Sequence, residues 1–191
     1  MKKSRLILLY LLAGCSTSHG KWANEPINLV RSNTWYIAGP VLEDEHEINE
    51  VRKRDGVIRV TANDAPVGEI ELNVMITESN SNDGPPTQLS DKSTFVEITY
   101  RSSHHIKLQA RQGDTKGVGC LHGGSHPRVD LPASTHDFKT LRIPWLAFKQ
   151  DGKPDGQLLN IDNLCKFNFV NYNPIPGASL EILSVKIENF N

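Results

Sequence analysis

Alternation with a period of two is the feature that most constrains how this chain can fold. In Gly68–Ile76, Ile70, Leu72, Val74 and Ile76 fall on one face, and Glu69, Glu71 and Asn73 on the other. Successive side chains of a strand point to opposite faces, so this pattern describes a strand with one face in a core and one in water. Similar short runs occupy Gly56–Ala62, Thr94–Arg101, Ile106–Arg111, Phe138–Pro144, Lys166–Asn171 and Leu180–Ile187. Helical character is confined to Asp44–Arg54, with acids first and bases last as the helix dipole favours, and its apolar set is thin: Ile48 and Val51. Short strands with almost no helix predict an all-β fold, an antiparallel β-sandwich or jelly roll. Thr94–Arg101 and Ile106–Arg111 are close enough to form a hairpin around His104–His105, and Ser134–Asp137 reads as a turn before the Phe138 strand. Ser79–Pro86 and the Gly/His-rich Gly113–Arg128 read as loops.

Composition narrows the class without naming a function. At 191 residues, 38% hydrophobic and 23% charged, the chain has the make-up of one globular domain. A formal charge of −1 argues against a nucleic-acid footprint. No G-x-S-x-G elbow and no H-E-x-x-H pair is present, no carboxylate spacing singles out an acid/base pair, and the chain is read as non-catalytic. Ser134-Thr135-His136-Asp137 places hydroxyl, imidazole and carboxylate side by side, but adjacency in sequence is not a triad.

The N-terminus reads as an address. Lys2, Lys3 and Arg5 form a positive region, Leu6–Leu12 a short apolar run, and Leu12-Ala13-Gly14-Cys15 follows. The run is too short to span a bilayer, which takes about 20 residues. The stretch resembles the lipobox of bacterial lipoproteins, in which the Cys thiol carries the lipid. The resemblance implies removal of residues 1–14, lipidation (palmitate included) of Cys15, a tether over 15–24 and a domain over 25–191. Ser16 after the Cys implies sorting to the outer membrane. Fourteen of the 191 residues and three cations would be lost, leaving 177 residues and a charge of −4. Several acyl chains hold a protein firmly where one does not.

From Phe95 onward the order is strand, strand, Gly-rich Cys loop, and then Phe138-Lys-Thr-Leu-Arg-Ile-Pro-Trp-Leu-Ala-Phe148. Leu159–Leu164, Phe167-Asn-Phe169 and Leu180-Glu-Ile-Leu-Ser-Val-Lys-Ile187 follow. Over residues 95–188 this resembles the galactose-binding-like jelly roll of carbohydrate-binding modules. The motif is structural: its apolar positions fill a core and its Pro ends a strand. Phe138 stands where those modules more often have Trp.

The resemblance implies a non-catalytic carbohydrate-binding lipoprotein of the envelope, with a glycan as partner. The alternative is a lipoprotein that binds another envelope protein through the same sandwich. Sugar recognition needs aromatic faces and planar polar groups. Alternation puts Gln109, Arg111, Arg142 and Asn168 opposite the core residues of their strands, and the reading places them on one concave face with Tyr100 or Tyr172 at its rim. An ordinary solvated sheet face is the competing reading. Such modules commonly hold a structural calcium, for which Glu43, Asp44 and Glu188 are the candidate ligands. Outside the cytoplasm, Cys120 and Cys165 could pair, closing a loop worth about 3–4 kcal/mol, or remain separate thiols.

Overall fold

A computed structural model describes residues 25–32, 34–76, 89, 93–112 and 126–190. The lipobox with Cys15, the tether, the Ser79–Pro86 loop and Cys120 lie outside the described residues. No described helix is long and apolar enough to cross a membrane.

The elements are α1 (Leu29–Ser32), β1 (Trp35–Ala38), α2 (Glu45–Asp55), β2 (Ile58–Thr61), β3 (Ile70–Met75), β4 (Phe95–Ser102), β5 (Ile106–Gln112), β6 (Pro127–Leu131), β7 (Ser134–Pro144), β8 (Lys149–Gln150), β9 (Leu164–Asn171) and β10 (Ser179–Ile187). They form a six-stranded sheet in the order β1-β3-β9-β5-β6-β8 and a four-stranded sheet in the order β2-β10-β4-β7. Every pairing is antiparallel.

The core lies between the sheets because each contributes one apolar face. Leu72 and Val74, Leu108 and Ala110, and Phe167 and Phe169 come from the larger sheet; Ile98, Tyr100, Ile182 and Val185 come from the smaller. Trp145 stacks on Phe167 with centroids 6.4 Å apart, and Phe148 packs against the two at 6.0 and 6.5 Å. The buried indole satisfies its N–H by donating to Ser93 Oγ at 3.1 Å.

Local signals set the remaining turns. Asp44 and Glu47 form a reciprocal capping box that starts α2, and Gly56 ends it in the left-handed conformation (φ 70°). Ile48 is the face of α2 that is buried. At Gly39 (φ +114°) a Cβ would lie 2.2 Å from the Glu69 carbonyl oxygen, so only glycine fits where the chain leaves β1 beside β3. A register shift in β10 between Ile182 and Ser184 frees backbone groups at that point. Asn28 takes them up: its Nδ2 donates to Leu183 O at 3.1 Å, and its Oδ1 accepts from Val185 N at 3.2 Å.

Three expectations are corrected. First, β4 and β5 do not form a hairpin. They belong to different sheets, and Ser102–His105 is a corner between them. Ser103 anchors that corner, donating its N–H to Ser179 O and accepting at Oγ from Ser179 N. Second, Ser134–Asp137 is the first part of β7, not a turn, with Ser134 opposite Ser102 of β4. Third, Phe138 fills no core position. It lies on the outer surface with the Arg101 guanidinium 4.9 Å above its ring. Strands β1, β6 and β8 add to the expected set.

Phe167→Ala should destabilise the domain by about 3–5 kcal/mol in urea unfolding, because it removes the central ring of a buried aromatic cluster. Leu146→Ala, at a side chain 71% exposed, should stay within about 0.5 kcal/mol. Equal costs at the two positions would contradict this packing.

Candidate functional site

The outward face of the six-stranded sheet carries polar side chains where a solvated sheet would have exposed ones. Pairing aligns them in rows across the strands. Tyr36 of β1 lies opposite Asn73 of β3, Asn73 opposite Asn168 of β9, Asn168 opposite Gln109 of β5, and Gln109 opposite Arg128 of β6. On one side of this row runs Ala38–Glu71–Val170–Lys107–Asp130, and on the other Met75–Lys166–Arg111. Neighbouring strands are about 4.8 Å apart, so the central row presents one polar group per strand at that spacing.

The amides of the central row are buried: Asn73 and Asn168 are 0% exposed, and Gln109 7%. Their donors are engaged. Asn73 Nδ2 donates to Glu71 O at 3.1 Å, Asn168 Nδ2 to Glu71 Oε2 at 3.2 Å, and Gln109 Nε2 to Tyr172 OH at 2.6 Å. Their carbonyl oxygens are not: Asn73 Oδ1, Gln109 Oε1 and Asn168 Oδ1 have no hydrogen-bond partner among the described residues. A buried acceptor left without a donor costs about 1–3 kcal/mol. The aligned set is a polar row that is withdrawn from solvent and left unsatisfied among the described residues.

Aromatic rings stand at two places on this face. Tyr36 lies at the β1 side, and Lys166 reaches its hydroxyl while Lys166 Nζ sits 4.8 Å from its ring centroid. Tyr172, just past the end of β9, is 37% exposed and receives Arg128 Nη1 on its hydroxyl at 3.2 Å. Burial pushes the Tyr36 hydroxyl above the ordinary phenol range. Burial, with Arg111 adding to it, brings the Lys166 ammonium down to about 8, although Glu71 opposes the change. Burial also lowers Arg111 from its ordinary value.

Of the residues picked from sequence, the fold brings Gln109, Arg111 and Asn168 onto one face with Tyr172 beside Gln109. Two are elsewhere. Tyr100 is fully buried in the core, and its hydroxyl donates to Pro132 O at 2.7 Å. It is therefore not a rim residue. Arg142 is on β7, on the outer side of the other sheet, where its Nε donates to Glu97 Oε2 at 2.9 Å and its guanidinium lies over Phe95. Alternation places a residue inward or outward but does not say which sheet its strand joins. Sequence reading did not attach Tyr36, Asn73, Glu71, Arg128 or Lys166 to the site. Asn73 and Glu71 were readable from the β3 alternation; Tyr36 sits in a four-residue strand, Trp35–Ala38, with no alternation to detect.

The calcium ligand set is not assembled. Glu43 Oε2 accepts from Thr61 N at 2.7 Å, Asp44 caps α2, and Glu188 Oε2 accepts from Thr94 N and Oγ1 at 2.7 and 2.6 Å. Each carboxylate is already engaged as a hydrogen-bond acceptor at a separate place. Among the described residues no three His, Cys, Asp or Glu side chains converge on one point. Cys165 is fully buried at the start of β9, with Sγ 3.2 Å from Arg111 O.

No family model matches the chain, and no curated protein matches it. Solved structures do. An agarase, AgWH50C, aligns at a TM-score of 0.53 and 9% identity over 88% of this chain; the chain spans 26% of that enzyme. The family 11 carbohydrate-binding module of Clostridium thermocellum, solved with a β-1,3-1,4-mixed-linked tetrasaccharide, aligns at 0.49 and 15% identity over 82% of this chain and 84% of that one. A family 29 carbohydrate-binding module (a D83A mutant complexed with mannohexaose) aligns at 0.42 and 10% identity over 81% and 80%. At these identities the likeness is one of fold. The chain is an all-β, antiparallel jelly-roll sandwich.

Lys166 gives the site a pH signature. Between pH 8 and 9.5 an unfolded chain keeps the lysine proton, whose ordinary value is about 10.4, while the folded chain releases it at about 8. The unfolded state then binds more protons, so stability rises with pH through that window. Unfolding free energies measured at pH 7.5 and 9.5 should show this rise in the wild type and lose it in Lys166→Met. An identical pH slope in both proteins would contradict the burial of this ammonium.

Proposed function

We propose that this protein is a non-catalytic carbohydrate-binding protein and that its glycan lies across the outward face of the six-stranded sheet. One observation carries the reading: three buried amide oxygens without donors, Asn73 Oδ1, Asn168 Oδ1 and Gln109 Oε1, lined up on three adjacent strands. Sugar hydroxyls are donors that suit such acceptors, and Tyr36 and Tyr172 supply rings for the apolar faces of pyranoses. Arg111 belongs to the same surface, and Arg128 holds Tyr172 in place. The jelly-roll resemblance over residues 95–188 agrees with this reading.

We further propose that residues 1–14 are a signal peptide, that Cys15 is lipidated, and that the lipid anchors the domain to the outer membrane. A Cys120–Cys165 disulfide belongs to the same picture. Its support is local: Cys165 lies beside Arg111, and the chain leaves β5 after Gln112, eight residues before Cys120. Mass spectrometry of the protein from membranes should find an acylated N-terminal Cys15 peptide and joined Cys120 and Cys165 peptides under non-reducing digestion. An intact residue 1–14 segment would overturn the anchor; two free thiols would overturn the disulfide.

A second reading, binding of another envelope protein, is favoured by one place. Phe95, Pro144 and Trp145 line a depression of about 440 Å³ with Leu146 exposed at its edge. It predicts co-purification of a partner after detergent extraction, independent of glycan.

The glycan reading is tested by affinity electrophoresis and calorimetry against mixed-linked glucan, mannan and agarose, together with acidic polysaccharides. The wild type should be retained by at least one polymer. Gln109→Ala and Tyr172→Ala should each weaken that binding by about tenfold, the worth of one good hydrogen bond or stacking contact. Arg142→Ala, on the other sheet, should leave it unchanged. Loss on Arg142→Ala with no change on Gln109→Ala would move the site to the four-stranded sheet.

A further inference from the structure

Resting on the glycan-binding reading, we infer that the glycan is acidic: a sugar bearing a carboxylate or sulfate group, read by Arg111. The observation is an arginine in the row beside the amides that makes no direct ion pair among the described residues. Arg111 lies opposite Lys166 across β5 and β9, in the row next to the amides. Its Nε is buried and has no hydrogen-bond partner among the described residues. Its electrostatic neighbours are Glu71, Tyr36, Tyr172 and Glu69, all on this face, but no ion pair forms with either carboxylate. Glu71 is committed instead to Asn168 Nδ2.

The other cations of the face have partners. Lys107 is paired with Asp130, Arg128 reaches Asp151 at 3.9 Å and the Tyr172 hydroxyl, and Lys166 reaches the Tyr36 hydroxyl. Two adjacent cations in one row, Lys166 and Arg111, have Glu71 as a shared acidic neighbour, with Glu69 also near Arg111, and both cations are partly withdrawn from solvent. Guanidinium donors bind carboxylate and sulfate oxygens in charge-assisted hydrogen bonds, and such bonds are about twice as strong as neutral ones. A neutral glycan would satisfy the amide oxygens and leave the partly desolvated Arg111 guanidinium with no directly paired anion. An acidic residue in the chain satisfies both.

The test uses the full chain and two matched pairs of polymers. One pair is polygalacturonate and its carboxyl-reduced product; the other is a sulfated galactan and the same polymer desulfated. The wild type should bind one acidic member at least about tenfold tighter than its neutral counterpart. Arg111→Gln should abolish that preference while residual binding to the neutral member persists. Raising NaCl from about 0.05 to 0.5 M should weaken the acidic interaction and spare the neutral one, a readout that holds even if Arg111→Gln fails to fold. The member that is preferred decides between carboxylate and sulfate. Equal binding of acidic and neutral members, with no salt dependence, overturns this inference and leaves the glycan reading standing. Retention by none of these polymers nor by the neutral glycans of the preceding test overturns both.

Discussion

The register of β9 is the constraint on which the rest of the structure depends. This strand is central in the larger sheet and buried on both faces from Leu164 to Val170. Its inward side chains, Phe167 and Phe169, join the core, and its outward ones, Lys166 and Asn168, form the middle of the candidate site. A slip of one residue would put an amide and an ammonium into the aromatic cluster and two phenyl rings on the surface. The hydrophobic energy of the core, roughly 1.5–3 kcal/mol for each fully buried phenylalanine, therefore also fixes the position of the polar row. Fold and site are two faces of one pairing.

That coupling explains how a buried polar face persists. Each amide spends its N–H donors within the protein, on Glu71 or Tyr172, and this leaves the carbonyl oxygens oriented and unpartnered. Glu71 organises the β3 side, and Tyr172, held from below by Gln109 and from the side by Arg128, organises the other. The cost of the orphaned acceptors is carried by the packing beneath them. The four-stranded sheet shows the contrast. Its outward charges are closed into local pairs, Arg101 with Glu181, Arg142 with Glu97 and Arg59 with Glu181, and its two phenylalanines lie under arginines. That face pairs more of its charge internally than the six-stranded one does, although Arg59 Nε is buried there without a partner among the described residues.

Much of this was legible in the sequence. Alternation identified most strands and assigned Gln109, Arg111 and Asn168 to an outward face, because side-chain direction in a strand is a local property. The errors came from what is not local. Arg142 points outward as expected, but from the other sheet, since β7 pairs with β4 through contacts some 40 residues apart, as in Glu97 with Arg142. The β4–β5 connection looked like a hairpin because it is short, and it is a corner because Ser103 is tied to β10. Tyr100 was readable: it continues the Val96 and Ile98 face and is buried with them. The calcium set is not assembled because Asp44 serves as a helix cap while Glu43 and Glu188 accept from Thr61 and Thr94 at separate places.

The most direct test of the central claim is to follow side-chain amide resonances during glycan titration. Binding across the six-stranded sheet predicts that the side-chain NH₂ signals of Asn73, Gln109 and Asn168 shift together and saturate with one dissociation constant. The backbone signals of Arg101, Phe138 and Thr140, on the opposite sheet, should remain still. Shifts confined to the Phe138–Thr140 surface, with the three amides unmoved, would contradict the account.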